Sequence, residues 1–92
     1  MTYKIDKIIA TVEGVTDTPI GILSTYDATL ARDVACYVAR MDGPIPFAEI
    51  VRMMRYHDHS EALKGFNRVS LALIRCDPHI GQLVRLSRQG LA

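Results

Sequence analysis

The sequence predicts a single α+β domain: an antiparallel sheet of about four strands, built from an N-terminal and a C-terminal hairpin, with two to three helices packed on one face. Three observations predict it. An isoleucine-rich run opens the chain and a second apolar run follows a turn-like stretch. Two segments between residues 27 and 54 carry the stripe of amphipathic helices. Residues 69–74 then alternate on either side of an apolar face, ahead of a break at Asp77 and Pro78. With 92 residues, 49% of them hydrophobic and 23% charged, residues 1–92 make one globular domain with a modest core.

In chain order, residues 3–13 (YKIDKIIATVE) place Ile5 and Ile9 on one strand face and Ile8, Ala10 and Val12 on the other, a change of phase that a bulge would accommodate. Residues 14–19 lead to the apolar run Ile20, Gly21, Ile22, Leu23, completing the first hairpin. Asp27 suits an N-cap, and Leu30, Val34, Tyr37, Val38 and Met41 follow it at helical spacing, with Arg32, Asp33 and Arg40 off the stripe. Asp42 and Gly43 end that helix. Pro46 suits the first turn of the next, whose stripe is Phe47, Ile50, Val51 and Met54. Ser60 caps a short turn that Gly65 stops. Residues 67–76 and 82–86 then read as the C-terminal hairpin, although one helix over residues 60–75 competes with the first of these strands.

Charge is sorted along the chain. Through Glu49, four cations against seven acids leave −3; from Ile50 onward, seven cations against three acids leave +4. Six of those seven cations are arginines, whose planar fork pairs bidentately with phosphate and carboxylate. Arg52, Arg55, Lys64, Asn67, Arg68, Arg75, Arg85 and Arg88 are therefore the candidate contact residues for an anionic partner. A solvated face paired with the acidic half is the plainer alternative. Tyr26 and Tyr56 are available as aromatic anchors or as packing residues.

Other chemistry finds little support. His57 and His59 form an HxH, and Cys76 with His79 a Cys-x2-His, yet nothing in the spacing joins the two pairs into a zinc site. Cys36 and Cys76 carry no nucleophile motif, and no Gly-rich phosphate loop is present. The expectation is a non-enzymatic, cytoplasmic protein that needs no cofactor and no metal, spans no membrane and is free to form a homodimer through a sheet edge.

Two resemblances give the arginine face a purpose. Size, the order of strands and helices, and charge polarity resemble the small phage-encoded anti-CRISPR proteins that act on type I effector complexes. That resemblance implies an inhibitor in the host cytoplasm. It would dock through its arginines on a protein or ribonucleoprotein surface, against guide RNA phosphates or acidic patches, and block target DNA hybridisation. The alternative is a winged-helix DNA-binding regulator, because QLVRLSRQGLA resembles the wing strand and following turn of bacterial winged-helix proteins. It implies Lys64, Asn67 and Arg68 in the major groove. Strands over residues 67–76 favour the inhibitor, since a recognition helix would have to occupy the same segment.

Overall fold

The computed structural model describes residues 4–20 and 26–92, and these form five α-helices: α1 (Ile5–Thr16), α2 (Tyr26–Met41), α3 (Phe47–Met54), α4 (His59–Ile74) and α5 (Pro78–Leu91). No strand occurs among the described residues, so the expected α+β sheet is corrected to an all-helical fold. A sheet edge is then absent among them as a route to a homodimer.

The correction has a local cause in each segment. Ile5, Ile8 and Val12 are buried and Ile9 packs beside them, at i, i+3, i+4 and i+7. What resembled an alternation with a bulge is a helical period. Strand-favouring isoleucines yield here to tertiary burial, since β-branched residues lose little in a helix that buries them. The expected turn at residues 14–19 is instead the end of α1, closed by Asp17 at φ 52°, whose amide donates to the Glu13 carbonyl. The Ile20 amide donates to Glu13 Oε2 at 2.8 Å, turning the chain back against α1. Residues 21–23, the remainder of the expected second strand, lie outside the described residues.

α2 is the central shaft. Ala31, Val34, Ala35, Cys36, Val38 and Ala39 are all buried, so its apolar surface extends around much of the helix and exceeds the predicted stripe. Met41, placed on that stripe, is exposed. The helix begins at Tyr26, which puts Asp27 inside its first turn and not ahead of it. After α2, Gly43 is required by close packing: a Cβ there would stand 3.0 Å from both the Ala39 carbonyl and Ile8 Cδ1. Pro46 is the N-cap of α3, and Ile50 and Met54 carry that short helix into the core.

α4 and α5 replace the C-terminal hairpin. Ala62, Gly65 and Val69 are buried, with Phe66 and Leu73 against the same core, which is again helical spacing. The apparent alternation arose because Leu71 and Ile74 are 48% and 75% exposed and belong to the opposite face. The helix cap is Asp58, whose carboxylate accepts from the Glu61 amide at 2.8 Å, and not Ser60. The Asp-Pro break is a helix start: Asp77 accepts from the His79 and Ile80 amides, each at 3.0 Å, and Pro78 stands in the first turn. α5 turns Leu83, Val84, Ser87 and Leu91 inward against α1 and α2. No helix among the described residues is long and apolar enough to cross a membrane.

Candidate nucleic-acid interface

α3 and α4 are consecutive helices joined by the short connection at residues 55–58, packed on each other and on the flank of α2. The turn is made by Arg55 in the left-handed conformation (φ 57°, ψ 39°), with its amide and that of Tyr56 directed to the Val51 carbonyl. Tyr56 is buried, and Asp58 in extended conformation caps α4. A short first helix, a left-handed residue, a buried anchor and a capped second helix thus fix the entry of α4.

Underneath the turn lies a polar knot. Asp33 of α2 is only 3% exposed, yet it accepts from the Tyr56 hydroxyl at 2.9 Å, from Arg68 Nε at 2.8 Å and from Arg68 Nη2 at 3.2 Å. One carboxylate therefore ties α2, the turn and α4 together. These bonds hold the Arg68 guanidinium above its ordinary range, and burial pushes the Tyr56 phenol well up. Gly65 makes the knot possible. A Cβ there would overlap the Asp33 carboxylate and stand 2.8 Å from the Tyr56 hydroxyl. Its role is close approach inside α4, and the helix stop expected there is corrected. Arg32 completes the clamp: it lies over the Tyr56 ring at 4.3 Å, donates to the Arg55 carbonyl at 3.3 Å and pairs with Glu61 at 3.2 Å.

The expected arginine face divides in two. Arg68 is committed to Asp33, while Arg88 pairs bidentately with Asp42 at 2.8 and 3.1 Å and lies 5.8 Å from the Tyr37 ring. Those two cations answer acids of the N-terminal half, so part of the charge sorting is internal pairing. Among the described residues, no ion pair involves Arg52, Arg55, Lys64, Arg75 or Arg85. Arg52 and Arg55 project from α3 and the turn, and Lys64 and Asn67 from the outer face of α4, all exposed. Arg75 stands at the far end of α4 and Arg85 on α5.

The remaining candidates separate as well. The His57/His59 and Cys76/His79 pairs occupy opposite ends of α4, and no cluster of three metal-ligating side chains occurs among the described residues. His59 packs against Phe47, ring centroids 5.2 Å apart. Cys36 is buried against the Ala62 carbonyl, and burial pushes its thiol up to about 11, the opposite of an activated nucleophile. Tyr56 is a packing residue, and the side chain of Tyr26 lies outside the described residues.

Sequence reasoning missed Asp33, Tyr56 and Gly65 as one unit. Little in the sequence signals it: Asp33 lies off the predicted stripe with Arg32 and Arg40, where an acid reads as solvated, and its partner Arg68 is 35 positions away. Comparison with protein-family models, curated proteins and solved structures finds no match to this chain.

Proposed function

We propose that the chain is a duplex-DNA-binding module that presents α4 to the major groove as the second helix of a helix-turn-helix. The observation that carries it is the capped, clamped α4. It exposes Ser60, Leu63, Lys64 and Asn67 on the side away from the core, and Arg52 and Arg55 are exposed on α3 and the turn that precede it. Helix-turn-helix proteins use this arrangement to set one helix across the phosphate backbone and the next into the groove. Strands over residues 67–76 would favour the inhibitor, but residues 67–74 belong to α4, the segment a recognition helix needs. The wing is not proposed, since α5 stands where the hairpin was expected.

Docking of the same chain on a ribonucleoprotein or protein surface is the second reading. It draws on Leu71 and Ile74, exposed on the C-terminal half of α4 beside Arg75, an apolar patch with no use in a phosphate contact.

Anisotropy titration against a randomised duplex at low salt tests the proposal. Binding should appear in the range of about 1 to 100 μM that nonspecific DNA contacts give, and should weaken steeply as salt rises. R52A/K64A should lower affinity and flatten the salt slope by nearly one unit per lost phosphate contact. Absence of binding at about 100 μM and low salt would overturn the DNA proposal. Capture of a nuclease-resistant complex by wild type, lost on Leu71→Asp/Ile74→Asp substitution, would favour docking instead.

A further inference from the structure

We infer that Leu63 and Asn67 are specificity-determining residues, reading a thymine and an adenine within the same few base pairs. This inference rests on the DNA-binding proposal above. α4 narrows its own choice of base readers. Glu61 is turned to Arg32, and Arg68 is held on Asp33 through both Nε and Nη2, so neither is free to reach a base edge. Among the described residues the Asn67 amide forms no hydrogen bond, and it is exposed. It therefore offers a donor and an acceptor together, the combination that pairs with N6 and N7 of adenine.

Leu63 lies one turn earlier on the same face, 41% exposed, among Ser60, Lys64 and Asn67. Leu63 is the apolar member of the N-terminal half of that face, which continues to the exposed Leu71 and Ile74, and it matches the one apolar mark in the major groove, the C5 methyl of thymine. Four residues of helix separate the two positions by about 6 Å along α4, so both can reach the same short stretch of groove. Lys64, between them in sequence, supplies a charge for a neighbouring phosphate or guanine.

Selection from a randomised duplex library with wild type, Asn67→Ala and Leu63→Ala provides the test. Both substitutions are at exposed positions and should leave thermal melting near that of wild type. Wild type should enrich a motif that holds an adenine and a thymine within a few base pairs of each other. Asn67→Ala should lose discrimination at the adenine by about 5- to 150-fold. Replacing the thymine by deoxyuridine, which removes only the methyl, should weaken wild type and leave Leu63→Ala unaffected. A wild-type protein that enriches no duplex overturns the DNA-binding proposal and this inference with it. An enriched motif returned unchanged by both variants, or a deoxyuridine effect equal in wild type and Leu63→Ala, overturns only the assignment of these two residues.

Discussion

Replacing Asp33 by asparagine removes one charge from the knot under the turn and changes little else in shape. The amide oxygen still accepts from the Tyr56 hydroxyl, but the amide nitrogen now faces an Arg68 N–H, donor against donor. Removing one partner of a buried ion pair costs about 3–5 kcal/mol when the other is stranded. Arg68 is not stranded: its side chain is 53% exposed and rehydrates once released. Retention of the Tyr56 bond also avoids an orphaned buried hydroxyl, which would add about 1–3 kcal/mol. The expected loss is therefore about 2–3 kcal/mol, a large fraction of the roughly 5–14 kcal/mol available to a chain of this length. It corresponds to a fall in Tm of about 10–20 °C. Urea and thermal melts followed by circular dichroism read it directly, and a double-mutant cycle with Arg68→Gln should give a coupling of about 1–3 kcal/mol. A D33N protein within about 0.5 kcal/mol of wild type would refute the assignment of Asp33 as the tie between α2, the turn and α4.

Gly65→Ala should destabilise by about 1–3 kcal/mol, because collision with Asp33 and Tyr56 outweighs a helix-propensity gain of about 1 kcal/mol. Gly14→Ala and Gly81→Ala, whose added Cβ meets nothing within 4 Å, should each stabilise by about 0.5–1 kcal/mol; chemical melts that rank the three otherwise would contradict the packing. Near neutral pH, a thiol reagent should label Cys76 quickly and Cys36 only as the protein unfolds, as mass spectrometry after timed quenching can show. The raised Cys36 thiol pKa, about 11 against 9.0, makes a contribution to stability that is complete below pH 9 and lost as pH rises toward 11. Stability should accordingly drop by about 2–3 kcal/mol across that window, and a C36A protein should show a shallower decline.

The two predicted helices were legible because their apolar positions recur at helical spacing with polar residues between them. α1, α4 and α5 were not, and for different reasons. In α1 every second or third residue is β-branched, so a 3.6-residue period imitates an alternation with one slip. In α4 the exposed Leu71 lies between Val69 and Leu73 and the exposed Ile74 follows them, erasing the polar face that would have marked a helix. In α5 a core position is held by Ser87, whose hydroxyl returns to the Leu83 carbonyl at 2.7 Å, so a buried residue looked like a surface one. The site was legible as a list of cations. Which cations were spoken for was not, since Arg68 and Arg88 find Asp33 and Asp42 across 35 and 46 positions of sequence.

The division among the arginines bears on how the chain would meet its partner. Had all of them been free, the C-terminal half would offer a diffuse positive surface suited to many anionic partners. With Arg68 and Arg88 committed to the fold, Arg52, Arg55 and Lys64 are the uncommitted cations nearest the turn, while Arg75 and Arg85 stand away from it. Under the DNA-binding proposal, Arg68 would still act on the interface indirectly. Through Asp33, Arg68 fixes the side of α4 that faces the core, and so fixes which side faces out. A helix free to roll about its axis would present its polar and apolar edges interchangeably and could not discriminate between bases. Held from beneath by one buried carboxylate, α4 keeps Leu63 and Asn67 outward, and geometric selectivity becomes attainable at low net charge.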